Sequence, residues 1–288
     1  MIPAQNITAW SKSAPWAEQK QIEQDLIISR ALVELFNDDF LRAQLRFRGG
    51  TALNKLHFAK PLRYSEDIDL VRTTEGPIGE ILDRTRTVLE PWLGHARLRQ
   101  SDIAPKFRFT VEAEDGTPIN LKLEINTRER EIYDKQVSMP FKVDNPWFSG
   151  NADIPTYSNE EILATKLRAL LQRNKGRDLL DLSHALEVFP HLDAQGLVAM
   201  MARYLAANDI SISRAQAEER MFRKLAMPEF LADVRPLLTQ EERQRFDRAA
   251  EVKAFTNVFA NLIRKIPGKP GANTPAMLDR FGLQTLAD

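Results

Sequence analysis

Residues 47–73 read FRGGTALNKLHFAKPLRYSEDIDLVRT and contain the most informative pattern in the chain. Two glycines and a threonine precede a segment with the apolar spacing of a short helix, and the chain then returns as the alternating run DIDLV. Alternation of acidic and apolar residues is typical of a β-strand that buries one face. The stretch therefore predicts a glycine turn, a short helix and a strand that carries carboxylates.

The strand places two of its carboxylates side by side. Residues two positions apart project from the same face of a strand, so we expect Asp67 and Asp69 to lie together while Ile68 and Leu70 face the core. Neighbouring carboxylates repel, and a cation stabilises them in the ionised form. Oxygen ligands at this spacing suit Mg²⁺, which completes its shell with water and phosphate oxygens. A solvated strand end tolerates the same pair, so the pattern by itself leaves both interpretations open.

A second acidic position lies on a later strand. The runs KFRFTVEAE (106–114) and INLKLEIN (119–126) alternate and are joined by a turn that contains Asp-Gly, which predicts a β-hairpin. The apolar side chains of the second run face one way, so Lys122 and Glu124 face the other way. If this strand neighbours the D-x-D strand, Glu124 supplies a third carboxylate. Plain alternation on a half-exposed sheet explains Glu124 equally well.

Gly49, Gly50 and Thr51 stand where an extended segment becomes a helix. Backbone N–H groups at a helix start can point at an anion, and glycine lets a phosphate approach the backbone closely. The alternative is a tight turn with no ligand. We predict that Ser65, which precedes Asp67 by two residues, is a further nucleotide-binding residue. Phosphorylation of Ser65 would add negative charge beside the carboxylates, and we expect it to inactivate the site.

Lys166 lies in an apolar helical stripe. It shares a helix face with Ile162 and Leu170, which are four residues away on either side. A lysine in such a stripe either extends to the surface or meets a buried anion. Asp178 and Asp181, near the start of the next predicted helix, are the anionic candidates, although aspartates at a helix start also complement the helix dipole.

The periodicity of apolar residues predicts three parts of the chain. Residues 1–45 are a helical lead, residues 46–150 a mixed α/β core and residues 151–288 a helical C-terminal domain. The segment 160–177 is rich in basic residues, which fit either an RNA-binding face or a solvated helix face. These basic residues are Lys166, Arg168, Arg173, Lys175 and Arg177.

Composition sets broad limits on the class of protein. Forty basic and forty acidic residues give a formal net charge of zero, so any electrostatic footprint for a nucleic acid must be local. The chain has no cysteine, which excludes disulfides and thiolate metal sites. The sequence has neither a signal-peptide pattern nor an apolar run of about 18 residues that would span a membrane. We expect a cytoplasmic protein without a membrane partner.

Four motifs occur in a distinctive order along the chain: GGTAL, R-x-SEDIDL, KLEIN and ATKLRALLQR-x-KGRDLLDL. In this order they resemble the AbiEii/AbiGii nucleotidyltransferase toxin family, which includes the MenT-type toxins. The likeness covers roughly residues 45–185. It implies a DNA polymerase β-like nucleotidyltransferase core with a mixed sheet, followed by a helical C-terminal domain.

The resemblance assigns roles to the residues of the first three motifs. Gly50 and Thr51 match the family's Gly-Ser phosphate loop, with a threonine that keeps the hydroxyl group. Asp67 and Asp69 match the metal-binding D-x-D. Glu124 matches the acidic position of K-x-E-I, which implies a third catalytic and metal-binding carboxylate.

The last motif supplies the remaining predicted catalytic residues. Lys166 matches the family's lysine, for which the resemblance implies binding of the nucleotide's phosphates. Asp178 and Asp181 match the aspartates of R-x-K-D-x-x-D-L. The chain reads K-G-R-D where the family reads R-x-K-D, so the motif leaves open which aspartate is essential.

The resemblance implies a metal-dependent nucleotidyltransferase that uses Mg²⁺ or Mn²⁺ and a nucleoside triphosphate (NTP). It further implies an RNA acceptor such as the 3′ end of tRNA, and the role of a toxin with a cognate antitoxin in phage defence. Three alternatives stay open at this stage. They are a nucleotidyltransferase acting on a small molecule or a protein, a kinase-like phosphotransferase, and a non-catalytic module that binds RNA or an antitoxin.

Overall fold

A computed structural model describes residues 2–286 of the chain. The protein divides into two compact units, with the division between Ser158 and Asn159. Every strand in the described residues belongs to the first unit, and the second unit is helical. Within residues 2–286, no helix combines the length and the apolar character needed to cross a bilayer.

The first unit contains five helices and seven strands. Its helices are α1 (Ala4–Trp10), α2 (Gln19–Asn37), α3 (Asp39–Gln44), α4 (Gly49–Ala52, continued by a π-helical turn Leu53–His57) and α5 (Gly79–Leu93). Its strands are β1 (Leu45–Arg48), β2 (Asp67–Arg72), β3 (Arg97–Arg99), β4 (Lys106–Glu112), β5 (Pro118–Asn126), β6 (Val137–Asn145) and β7 (Phe148–Thr156).

Five strands form a mixed sheet in the order β1-β2-β5-β4-β3. Strand β2 pairs in parallel with β5, and the other neighbours pair antiparallel. The predicted D-x-D strand and the predicted hairpin are both confirmed, as β2 and as β4–β5. The hairpin lies beside the D-x-D strand, which is the arrangement that brings Glu124 to the same part of the sheet.

One face of this sheet is the core of the unit. Ile68 and Leu70 of β2 and Leu121 and Leu123 of β5 are fully buried, as their alternation predicts. Phe107 and Phe109 of β4 project to the same side, with ring centroids 6.2 Å apart. Because the apolar residues take this face, the intervening polar residues of β2, β4 and β5 are left on the other face.

The strands β6 and β7 were not predicted from the sequence. They form a separate antiparallel hairpin, and the predicted domain boundary at residue 150 falls inside β7. Strand β6 leaves most of its residues exposed or partly exposed, and β7 contains Gly150 and Pro155, which read as loop signals. The hairpin extends the first unit to Ser158, and the predicted helical lead also belongs to this unit.

The second unit consists of α6 to α12. These helices are α6 (Asn159–Gln172), α7 (Gly176–Val188), α8 (Ala194–Ala206), α9 (Arg214–Leu225), α10 (Gln240–Arg245), α11 (Arg248–Asn261) and α12 (Thr274–Arg280). Ser213 and Gln216 form a capping box at the start of α9, which satisfies N–H groups at that helix end. Phe222 packs against Phe255 and Phe259 of α11 at centroid distances of 5.7 and 5.3 Å.

A buried carboxylate ties the N-terminal segment to the first unit. Asp25 of α2 accepts hydrogen bonds from the indole N–H groups of Trp10 and Trp16 at 2.9 and 3.2 Å. Lys55 Nζ lies 2.8 Å from the same carboxylate. A buried charge requires such partners, and Asp25 is 4% exposed.

We expect Asp25→Ala to lower the free energy of unfolding by about 3–5 kcal/mol, because it leaves a buried lysine and two indole N–H groups unpaired. Urea denaturation measures the change. The matched control is Asp39→Ala, which breaks an exposed ion pair with Arg42 and is expected to cost less than about 1 kcal/mol. Equal effects for the two variants would contradict the anchoring role of Asp25.

Candidate functional site

Asn54 holds the loop between α4 and β2 against the glycine turn. Its Nδ2 donates to the Gly50 carbonyl at 2.9 Å. Its Oδ1 accepts from the backbone N–H groups of Leu62 and Arg63 at 2.9 and 3.1 Å. The Asn54 side chain therefore joins the glycine turn to the returning loop. This role of Asn54 was not predicted from the sequence.

Thr51 connects the glycine turn directly to the D-x-D strand. Its hydroxyl donates to the Asp67 carbonyl oxygen and lies 2.9 Å from Ser65 Oγ. These contacts bring the predicted nucleotide-binding residues Thr51 and Ser65 together beside the first aspartate.

Different side chains pack closely against the two glycines, Gly49 and Gly50. Gly49 has a φ of +81°, and a Cβ atom there would overlap Asp69 Oδ2. A Cβ atom on Gly50 would lie 2.6 Å from Arg63 Nη2 and 3.2 Å from Ser65 Oγ. The absence of a side chain at Gly49 therefore lets the Asp69 carboxylate pack against the turn. The absence of one at Gly50 does the same for the Arg63 guanidinium and the Ser65 hydroxyl group.

A cavity of about 260 Å³ opens beside this turn. Thr51, Ser65 and the buried Arg63 line it together with Lys55, whose ammonium already pairs with Asp25. Hydroxyl groups and a guanidinium at the start of a helix are suitable partners for phosphate oxygens. The aromatic residues lining the cavity are Trp10, Trp16, Phe58 and Phe141.

Asp67 and Asp69 share one face of β2, as predicted. Both are partly exposed, while Ile68 between them is fully buried. Burial raises the pKa of Asp69, and the neighbouring charge of Asp67 raises it further, against the opposing effect of Arg48. Asp69 therefore lies in surroundings that disfavour its negative charge.

Glu124 lies directly opposite Asp69 in the parallel pairing of β2 and β5. Its carboxylate is held by Lys106 Nζ at 2.9 Å and by Lys122 Nζ at 3.5 Å. Lys122 also lies 3.1 Å from Asp67 Oδ2. Burial lowers the pKa of Lys122, but the charges of Asp67, Asp69 and Glu124 and the hydrogen bond to Asp67 together outweigh burial and raise that pKa above the ordinary value.

The acidic residues fit a divalent cation only in part. Among residues 2–286, no group of three or more His, Cys, Asp or Glu side chains is arranged to hold a metal ion. Asp67 and Asp69 have the oxygen chemistry that Mg²⁺ prefers, and a cation would offset the repulsion that raises the pKa of Asp69. The pair would hold the ion with water and substrate oxygens, and Glu124 as a metal ligand stays a prediction.

In the second unit, Lys166 meets the two aspartates of the last motif. Lys166 Nζ lies 3.0 Å from Asp178 Oδ1 and 2.9 Å from Asp181 Oδ2, and all three side chains are buried. The lysine therefore does not extend to the surface. Arg173 contacts Asp178 with Nε and Nη2 at 2.8 and 2.9 Å. Burial alone would raise the pKa of Asp178, but Lys166 and Arg173 outweigh it and hold that pKa well below the usual range.

Most of the basic side chains in the segment 160–177 contact other residues of the second unit. Lys166 and Arg173 pair with aspartates, and the Arg168 guanidinium lies 5.1 Å from the centre of the Tyr204 ring. Of the five basic side chains, Lys175 and Arg177 are left for an RNA-binding face.

Solved structures resemble this chain over nearly its whole length. JHP933 from Helicobacter pylori is 19% identical with a TM-score of 0.55, and the alignment covers 95% of this chain and 100% of that chain. MenT4, a nucleotidyltransferase toxin from Mycobacterium tuberculosis H37Rv, is 17% identical with a TM-score of 0.62 and coverage of 99% and 96%. At these identities the likeness concerns the fold, which is that of a nucleotidyltransferase. No curated protein matches the chain.

The glycine turn packed against a D-x-D strand agrees with this fold, and the protein is a nucleotidyltransferase. The model of the family described as "Nucleotidyl transferase AbiEii toxin, Type IV TA system" matches residues 30–252. The chain belongs to the AbiEii nucleotidyltransferase toxin family, as its motifs predict. Membership implies an NTP substrate and an antitoxin partner.

We expect Gly49→Ala to reduce nucleotidyl transfer roughly a hundredfold, because the new methyl group would displace the Asp69 carboxylate. Transfer of radiolabel from NTP measures the loss. Gly116→Ala is the matched control, since Gly116 also has a positive φ of +79° but would place its Cβ within 4 Å of no other group. If both variants transfer label at the same rate, the contact with Asp69 is unimportant.

We expect Lys166→Met to lower the free energy of unfolding by about 3–5 kcal/mol at neutral pH, because two buried carboxylates lose their common partner. In the wild type, the depressed pKa of Asp178 contributes stability above its unfolded value of about 3.9, and this stability is lost as the pH falls through the folded pKa. In the variant, the buried carboxylates have lost Lys166, and burial favours their neutral form. They should take up protons as the pH falls from neutral toward 4, so the penalty of the variant should shrink over that range.

Urea denaturation at neutral and mildly acidic pH measures this difference. Lys253→Met is the control, because Lys253 is 75% exposed in its ion pair with Glu187. A penalty for Lys166→Met that does not change with pH would contradict the assignment of the cluster as an ionic one.

Proposed function

We propose that the protein transfers a nucleoside monophosphate from an NTP to an RNA acceptor, such as the 3′ end of tRNA, in a reaction that depends on Mg²⁺ or Mn²⁺. In this proposal it acts in the cytoplasm as the toxin of a toxin–antitoxin pair in phage defence. The observation that carries the proposal is the Asp67–Asp69 pair packed against the Gly49–Thr51 turn. Such a pair beside a phosphate-binding turn suits phosphoryl chemistry better than it suits a solvated strand end.

The glycine turn and its neighbours would bind the phosphates of the nucleotide. Gly50 lets the backbone approach an anion closely, and Thr51 and Ser65 offer hydroxyl groups at the border of the cavity. Arg63 places a buried guanidinium on the same cavity, where it offsets phosphate charge.

The reaction joins the acceptor to the α-phosphate. A hydroxyl oxygen of the acceptor attacks the α-phosphorus, a new P–O bond forms, and the bond from that phosphorus to the bridging oxygen breaks. Pyrophosphate leaves with the electron pair of the broken bond. A divalent ion bound by Asp67 and Asp69 would supply positive charge to the attacking and leaving oxygens.

The proton of the attacking hydroxyl requires a base. Glu124 is the better candidate, because it faces Asp69 across the pairing of β2 and β5. Asp178 is a poor candidate, because its side chain is fully buried and both of its oxygens already accept hydrogen bonds from Lys166 and Arg173, whereas Glu124 is partly exposed. The predicted catalytic roles of Lys166, Asp178 and Asp181 stay predictions.

We expect the purified protein to transfer label from α-labelled NTP to total tRNA when Mg²⁺ or Mn²⁺ is present. We expect Asp69→Asn to abolish transfer without lowering the melting temperature, because it removes a carboxylate that burial and Asp67 both destabilise. The control is Asp83→Asn, which changes an exposed carboxylate on α5.

The position of the label separates the alternatives. Label incorporated from the γ-phosphate would indicate a kinase-like reaction. Label found on a protein or on a small molecule would show that this molecule, and not RNA, is the acceptor. If none of the four nucleotides labels any RNA, or if Asp69→Asn stays active, the proposal is wrong. Co-expression with the protein of the neighbouring reading frame tests the toxin role by relief of toxicity.

A further inference from the structure

A row of charged residues crosses the polar face of the five-stranded sheet. The strand register places Arg48 opposite Asp69, Asp69 opposite Glu124, and Glu124 opposite Lys106. Lys106 lies opposite Arg99 on the edge strand β3. The row therefore has Arg48 on the β1 side of the two carboxylates, and it becomes positive again from Lys106 to the β3 edge of the sheet.

A second row runs parallel to the first, two residues further along the strands. Asp67 lies opposite Lys122, Lys122 opposite Arg108, and Arg108 opposite Arg97. Residues two apart on a strand share a face and are separated by about 7 Å, and neighbouring strands are about 5 Å apart. The two rows together place a basic band on β5, β4 and β3, which consists of Arg97, Arg99, Lys106, Arg108 and Lys122.

The outer part of the basic band is exposed and uncompensated. Arg97, Arg99 and Arg108 are exposed, and within residues 2–286 none of them makes an ion pair. Like charges stand directly opposite each other at Arg97 and Arg108 and at Arg99 and Lys106. Such cross-strand pairs destabilise a sheet. The negative charge of a bound polyanion would offset the repulsion between these cations.

An open groove extends the basic band beyond the sheet. The groove has a volume of about 600 Å³, and its charged lining is Arg99, Lys106 and Arg128 against one carboxylate, Asp102. Its polar, open shape suits a backbone that stays partly hydrated. It does not resemble the mostly apolar cavity that encloses a small molecule.

We propose that the basic band and this groove bind the sugar–phosphate backbone of the RNA acceptor and deliver its reacting end to Asp67 and Asp69. This inference rests on the proposed function. The phosphates would contact the three exposed arginines. The last cation before the carboxylates is Lys122, which already touches Asp67.

RNA fits the basic band better than an acidic protein does, because the band is continuous with the reacting centre. Lys106 contacts Glu124, and Glu124 faces Asp69, so a polyanion that follows the band arrives at the D-x-D pair. An acceptor must reach that pair, whereas a protein partner has no such requirement. The residues of the band are cations without aromatic side chains, which predicts binding to phosphates with little dependence on base sequence.

The test is the triple variant Arg97→Gln, Arg99→Gln and Arg108→Gln, with tRNA as substrate. We expect the KM for tRNA to rise about tenfold or more, with kcat and the KM for NTP within about twofold. The slope of log KM against log salt concentration should fall by about 2, because three phosphate contacts are lost. The melting temperature should be equal or higher, since like-charge pairs are removed.

The control removes the same charge from exposed arginines on helices. It combines Arg42→Gln, Arg223→Gln and Arg245→Gln, whose side chains are 42%, 68% and 70% exposed. We expect its KM for tRNA to be unchanged. This control separates an effect of position from an effect of net charge.

The outcomes distinguish this inference from the proposed function. If wild-type protein labels no RNA, the proposed function fails. If wild-type protein labels tRNA and the triple variant has an unchanged KM and salt slope, the basic band does not bind the acceptor. An unchanged KM combined with lost neutralisation by the antitoxin would make the band a protein-binding surface and would overturn the inference.

Discussion

The parallel pairing of β2 with β5 is the constraint on which the rest of the first unit depends. It places Asp69 opposite Glu124 and Asp67 opposite Lys122, so that acids and bases from distant parts of the chain meet. The same register puts Ile68 opposite Leu123 on the buried face. A slip of one residue would turn the carboxylates toward the core, and the cost of burying them keeps the register in place.

The Lys166 cluster and the D-x-D pair differ in how completely their charges are balanced. In the second unit, Lys166 and Arg173 balance Asp178 and Asp181, and the cluster is neutral within itself. In the first unit, Asp69 keeps a raised pKa because burial and Asp67 outweigh the nearby cations. An uncompensated carboxylate is a cost to the folded chain, and strained electrostatics of this kind are typical of functional sites.

Much of the candidate site could be predicted from the sequence because its key residues follow local periodicities. Alternation places Asp67 and Asp69 on one face, and helical spacing puts Lys166 in an apolar stripe. The same reasoning could not choose between a surface lysine and a buried ion pair, since that choice depends on what packs against the stripe. It also missed the β6–β7 hairpin, whose glycine, prolines and polar residues resemble a loop.

The sequence alone was enough to predict the D-x-D strand, the β4–β5 hairpin, the faces of these strands and the family. These features depend on side-chain periods of two and 3.6 residues and on motifs that are contiguous in the chain. The basic band that β3, β4 and β5 form beside the carboxylates is visible in the tertiary structure and could not be predicted from the sequence. Strand order and register arise from backbone hydrogen bonds between segments far apart in sequence, so no local pattern specifies which cation lies beside which acid.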